Sequence, residues 1–262
     1  MFFSLKKKDK FSYIEEGEGQ PIVLLHGLMG ELSNFSSLTN YFAQRGYKVY
    51  APELPIYSLP VISTNIKNIA KHVAKFVEEI VKEPAILVGN SLGGHIGLMV
   101  CHQHPEYVKA LCLTGSSGLY EKSFGETYPK RGNYEYVERK TREVFYDPAV
   151  ATKEIVDDVF NTVNDRNKAI KTLYIARDAI KSNMKGDLID IKIPVCLIWG
   201  KQDSVTPPEV AIEFEQELPD ATLYWIDKCG HAPMMEHPEL FNEILFKWLV
   251  EKQFNATTKA EL

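Results

Sequence analysis

Apolar residues fall along this chain in two rhythms. Residues 22–25, 85–88, 108–114 and 193–199 are short runs rich in aliphatic side chains, the mark of strands buried on both faces of a sheet. Residues 11–14 alternate, and residues 47–51 and 221–226 read as further strands. Between them the period lengthens to that of a helix: residues 34–45, stopped by Gly46, residues 94–102, 208–217 and 239–250, and residues 64–82 through Ile66, Ile69, Val73, Phe76, Val77 and Ile80. Strand and helix alternate with connections long enough for crossovers. That predicts an α/β fold, with a mainly parallel central sheet and helices on both faces.

The alternation breaks between residues 118 and 190. No buried strand is legible there, only helical segments at residues 134–146, 152–164 and 166–182, with Tyr120, Phe124, Tyr128, Tyr134 and Tyr136 mixed among charges. The expected organisation is a core of residues 1–117 and 191–262. A helical cap, residues 118–190, is inserted before the strand that leads to Asp203. The tail, residues 255–262, is polar and expected to fray.

Composition narrows the class. With 45% hydrophobic and 25% charged residues, the 262-residue chain is an ordinary globular protein, neither disordered nor collagen-like. Its net charge is −5, and no basic run exceeds Lys6-Lys7-Lys8, so no nucleic-acid partner is expected. Cys101, Cys112, Cys196 and Cys229 are scattered, which suits reduced, packed thiols better than disulfides. The first residues place their lysines after a very short apolar piece, the reverse of a secretory signal, and no apolar run is long enough to span a bilayer. A cytoplasmic protein with no membrane partner and a small-molecule substrate is therefore expected, its oligomeric state open.

The chemistry centres on Gly89-Asn90-Ser91-Leu92-Gly93, a G-x-S-x-G pattern between a strand and a helix. So tight a turn holds Ser91 in strained backbone angles and needs glycines on either side to let strand and helix approach. A serine hydroxyl is a weak nucleophile until a base activates it and an acid orients that base. Asp203 and His231 each follow a predicted strand, so a parallel sheet brings both to the edge that carries Ser91; Asp227 is a rival acid. Two backbone N–H groups are needed for an oxyanion: Leu92, directly after the serine, and Leu28, with Met29 the next choice, after the first buried strand. His26 reads as a residue that ties that loop together. His72, His95, His102, His104 and His237 read as packing or surface residues, and no metal-ligand or phosphate-loop spacing occurs, so no metal and no cofactor are expected.

The ordered set His26-Gly27, Gly89 to Gly93, Asp203 and His231, with helices inserted before Asp203, resembles the α/β-hydrolase superfamily over residues 11–252. The resemblance implies Ser91 as nucleophile, His231 as general base and then acid, and Asp203 as its orienting partner. Asn90 and the run Arg142-Glu143-Val144-Phe145-Tyr146-Asp147-Pro148 are similar to carbon–carbon bond hydrolases of the meta-cleavage-product type. In those enzymes a cap arginine meets a substrate carboxylate, a part that would fall to Arg166, with Met29 and Asn90 as further substrate contacts. The loop His26 to Glu31 lacks that branch's Gly-Pro-Gly, and Ala232 stands where it has tryptophan. Three readings follow: a serine hydrolase of carboxylic esters first, a carbon–carbon hydrolase second, and a ligand-binding protein on a hydrolase fold third.

Overall fold

The computed structural model describes residues 3–121 and 132–254, so Phe124, Tyr128 and the polar tail lie outside the described residues. The strands are β1 (Lys6–Lys8), β2 (Phe11–Gly17), β3 (Gln20–Leu25), β4 (Tyr47–Pro52), β5 (Ala85–Asn90), β6 (Val108–Thr114), β7 (Val195–Gly200) and β8 (Ala221–Ile226). They form one eight-stranded sheet in the order β1-β2-β4-β3-β5-β6-β7-β8. The pairs β1/β2 and β2/β4 are antiparallel, and every other pair is parallel. The run Lys6–Lys8 turns out to be the outermost strand, where exposed lysines guard an unpaired edge.

The helices are α1 (Ser36–Ala43), α2 (Ile66–Phe76), α3 (Leu92–Gln103), α4 (Tyr134–Arg142), α5 (Lys153–Asn164), α6 (Arg166–Lys181), α7 (Pro208–Glu217), α8 (Pro233–Glu236) and α9 (Pro238–Glu251). Caps set several boundaries. Asn65 Oδ1 accepts Asn68 N–H at 2.9 Å to start α2, and Asp165 Oδ1 accepts Asn167 and Lys168 N–H at 2.8 and 3.0 Å to start α6. Helix α4 stops at Arg142, short of the predicted 146, because the next residues are drawn onto the His231 loop: the Val144 carbonyl accepts His231 N–H at 3.0 Å.

Strand alternation divides the core in two. Val23, Leu25, Leu87, Leu111 and Leu197 pack with α2, α3 and α7, while Ile22, Leu24, Ile86, Val88 and Ile198 pack with α1 and α9. Each fully buried aliphatic side chain contributes about 1.5–3 kcal/mol, so both faces are needed to hold the sheet. The four cysteines are buried and free. Strand order reverses at β3, whose neighbours are β4 and β5; the loops leaving β3 and β5 part there and open a crevice at the carboxyl edge. Helices α4, α5 and α6 follow β6 and precede β7 in the chain, and their residues share a cavity with the ends of β3 and β5.

Candidate active site

Ser91 sits between β5 and α3 at φ 55°, ψ −119°, outside the regions open to ordinary residues. Such a conformation costs about 1–3 kcal/mol and persists only where the surroundings enforce it. They do so by close approach: a Cβ at Gly93 would overlap the Leu25 carbonyl of β3, so only glycine lets α3 come this near the sheet. Leu92 opens α3, and its N–H, as the first of the helix, has no acceptor within it. Across the crevice, residues 27–30 make a turn closed by Gly30 N–H to the Gly27 carbonyl at 3.1 Å, with Met29 at φ 60°. His26 anchors this loop: Nε2 accepts Leu54 N–H at 3.3 Å, and Nδ1 lies 2.9 Å from the Gly27 carbonyl. Burial holds the His26 pKa below the usual histidine value, which suits this neutral, bonded role.

His231 and Asp203, 28 positions apart, meet with Nδ1 2.9 Å from Oδ2 and 3.2 Å from Oδ1. The Asp203 carboxyl is fully enclosed and multiply bonded. Its Oδ1 accepts Val205 and Thr206 N–H at 2.8 and 3.0 Å, and its Oδ2 accepts the Thr206 hydroxyl at 2.9 Å. Burial pulls the His231 pKa down, but Asp203 foremost, then Glu121 and Glu236, outweigh it and leave the pKa raised. The rival Asp227 is exposed and faces Lys201 and Gln202 instead. Among the hydrogen bonds of the described residues none runs directly between Ser91 and His231, although both line one cavity.

Several groups that sequence reasoning passed over hold His231 in place. Glu236 bridges two segments: Oε1 accepts Gly230 N–H at 2.8 Å, and Oε2 accepts Tyr146 and Asp147 N–H at 2.7 and 3.3 Å. Gly115 has φ +51°, and a Cβ there would lie 2.8 Å from His231 Nδ1, so glycine makes room for the ring. The signal for Glu236 was weak, a single carboxylate five positions beyond His231. Asn90 lines the cavity, and its amide nitrogen donates to the carbonyls of Thr114 and His231 at 3.0 and 3.1 Å, so it also braces the site.

The cavity holds about 380 Å³, within the range of small-molecule sites. Leu28, Met29 and Ser91 line it together with Val137 of α4, Val163 of α5 and Leu173 of α6. Arg166 is a correction to the sequence-based expectation: it is exposed on the first turn of α6 and is not among the residues lining the cavity. The charged groups that do line it are Glu31, Glu154, Asp158 and Lys140, and Lys140 is paired with Glu143 at 2.6 Å. Burial and then the nearby Asp158 raise the Glu31 pKa, the response of a carboxyl in an already negative, enclosed place. Among the described residues no group of three or more His, Cys, Asp or Glu is placed to hold a metal ion.

A mainly parallel eight-stranded sheet with a strained serine after β5 and a histidine after the last strand is the architecture of the α/β-hydrolase superfamily, and this chain is a hydrolase of that class. It belongs to the serine aminopeptidase family S33, whose model matches residues 19–238. It is similar to an α/β-hydrolase enzyme from a sediment metagenome of the Mar Chica lagoon, Morocco, at 50% identity and a TM-score of 0.80, over 95% of this chain and 99% of that one. It is also similar to the 2-hydroxy-6-oxo-6-(2'-aminophenyl)hexa-2,4-dienoic acid hydrolase of Metapseudomonas resinovorans, 29% identical over 90% of this chain and 86% of the relative. A serine hydrolase involved in carbazole degradation aligns at 25% identity with a TM-score of 0.79, over 92% of this chain and 95% of that one.

Proposed function

We propose that the chain hydrolyses carboxylic esters of uncharged acids through an acyl-enzyme formed on Ser91. Residues 118–190 act as a cap that shapes the substrate range, and residues 1–117 and 191–262 carry the chemistry. The observation that carries this reading is the buried His231–Asp203 pair, at 2.9 Å, opening on the same apolar cavity as the strained Ser91. Ser91 Oγ attacks the carbonyl carbon while His231 Nε2 takes its proton, and the N–H groups of Leu28 and Leu92 receive the oxyanion. His231 returns that proton to the departing alcohol. Water then attacks the acyl carbon, again losing a proton to His231, and the acid leaves as Ser91 is restored.

The relatives named as dienoic acid hydrolases support a second reading, cleavage of a carbon–carbon bond beside a ketone. The cavity weighs against it. Among the described residues lining it, Lys140 is the one lysine or arginine, already paired with Glu143, against the three carboxyls of Glu31, Glu154 and Asp158. A substrate carboxylate would meet repulsion there. The ligand-binding alternative predicts no turnover, so a turnover assay separates it from both enzymatic readings. The test is a panel of neutral p-nitrophenyl esters beside a dienone ring-fission product, with a fluorophosphonate probe to label the nucleophile. Ester turnover with labelling at Ser91 is expected; turnover of the dienone alone would reverse the order of the two readings.

A further inference from the structure

Helix α6 has two working faces. Ala169, Thr172, Leu173 and Ala176, spaced as one helical stripe, line the cavity above Ser91. A second stripe about a third of a turn round, Ile170, Tyr174, Arg177 and Lys181, is exposed, as is Ile180 at 54%, one turn beyond Ala176 and next to Arg177. Next to this outer stripe lies the turn Val61–Ser63, where Ile62 is 78% exposed, the most exposed large apolar side chain among the described residues. Asp178 Oδ2 fastens the two segments by accepting Ile66 N–H at 2.8 Å, and Lys171 Nζ donates to the Tyr57 carbonyl at 2.7 Å.

Charge on these two segments runs against the rest of the molecule. Residues 53–79 and 165–181 together carry eight bases and five acids, in a chain of net charge −5. Of the acids, Asp178 is partly exposed and bonded to Ile66, Asp165 caps α6, and Glu79 pairs with Lys10 at 3.6 Å. Lys67, Lys71, Arg177 and Lys181 are exposed and form no salt bridge among the described residues. Isoleucines and a tyrosine set among long cationic side chains that outnumber the carboxylates match the interface of an anionic bilayer: the rings and aliphatic groups enter the acyl boundary while the bases reach the headgroups. A nucleic acid would use the bases but leave Ile62, Ile170 and Ile180 in water.

We propose that the outer face of α6, with Ile62, seats on an anionic lipid surface, so that lipophilic substrates leave the bilayer beside the helix that roofs the cavity. The contact is peripheral, for among the described residues no helix is long and apolar enough to cross a membrane. The inference rests on the proposed ester hydrolysis only in taking the cavity as the substrate's destination.

The experiment is co-sedimentation of the full chain with vesicles of ether-linked phosphatidylcholine, with or without ether-linked phosphatidylglycerol, alongside turnover of a water-soluble acetyl ester. Wild-type protein is expected to sediment with the anionic vesicles and to be released by salt. The pair Arg177→Glu and Lys181→Glu should lower partitioning by roughly twentyfold or more, since each base near an anionic leaflet contributes about fivefold. The pair Ile62→Ser and Ile180→Ser should lower it by about tenfold. None of these residues lines the cavity, so acetyl ester turnover should be unchanged in both variants. Absence of wild-type binding overturns the proposal. So does binding that ignores the isoleucines and is competed by RNA or heparin, which marks a polyanion site, and so does a wild-type dimer that the isoleucine variant converts to monomer. Vesicle binding without any ester turnover sustains the lipid contact and sinks the hydrolase reading separately.

Discussion

Around His231 nearly every polar group has a fixed partner: Asp203 and Glu236 each take bonds from four groups, and Asn90 spans two carbonyls. The outer helices α5 and α6 are held differently, by an apolar inner stripe, by caps, and by a few bonds such as Asp178 to Ile66 N–H and His95 Nε2 to the Ser182 carbonyl at 2.9 Å. One region is specified by direction and the other by area. Directional bonds fix atoms within a few tenths of an ångström, as proton transfer requires. Apolar packing tolerates sliding and resizing, which suits a surface that must accept substrates of different shape.

Substitutions should therefore divide by region. Ser91→Ala has the largest effect: loss of fluorophosphonate labelling and a fall in ester turnover of about 10⁵-fold or more, leaving only what the oxyanion donors supply. Labelling that persisted in this variant would place the nucleophile elsewhere. Asp203→Asn follows at about three to four orders of magnitude, because an amide favours the wrong tautomer of His231; Asp227→Asn, at an exposed position, should be nearly silent. The reverse ranking would hand the orienting role to Asp227.

Glu236→Gln tests whether the link between the α4 exit and the His231 loop is part of the site. An amide cannot accept from both Gly230 and Tyr146, so one N–H faces another donor, and kcat is expected to fall about tenfold to a hundredfold through misplacement of His231. The pH profile separates this from simple loosening. In the proposed mechanism His231 works as a neutral base, so activity should rise with pH through its pKa, which the carboxylates Asp203, Glu121 and Glu236 hold above the usual value. Removing the Glu236 charge should move that limb to lower pH. A reduced kcat with an unmoved limb would make Glu236 a structural clamp only.

Changes in the roof should be smaller and of another kind. Leu173→Ala widens the cavity wall, so KM for the preferred acyl chain should rise about three- to tenfold, the optimum should shift to longer chains, and kcat on an acetyl ester should stay within about twofold. A collapse of kcat here would mean that the roof takes part in the chemistry. The smallest expected effect is Arg166→Ala. Kinetics on matched neutral and anionic esters should be the same as wild type, since Arg166 is exposed and off the cavity. A selective loss on the anionic ester would restore the carboxylate contact and the carbon–carbon hydrolase with it.

The sequence alone determined the sheet class and that Ser91, Asp203 and His231 each follow a strand, because local rules govern both. Burial on two faces writes dense apolar runs, and a parallel sheet sends every strand end to one edge, so residues that follow strands can be placed together without a model. It also foresaw the three helices between β6 and β7, whose caps and periods are local. Tertiary structure decided what depends on contacts between distant segments. Lys6–Lys8 became a strand only by pairing with β2, and α4 ended early only because His231 claims the Val144 carbonyl. The bonds from Asn90 to Thr114 and His231 could not be foreseen, and Arg166 could be read as a substrate contact until α6 turned it outward. The basic, isoleucine-studded face is the clearest case: its two parts lie about a hundred residues apart, so no run of charge announces it, and hydrogen bonds from Asp178 and Lys171 bring them side by side. A one-dimensional pattern records which residues a segment buries, whereas which surfaces become neighbours is set by how the segments pack.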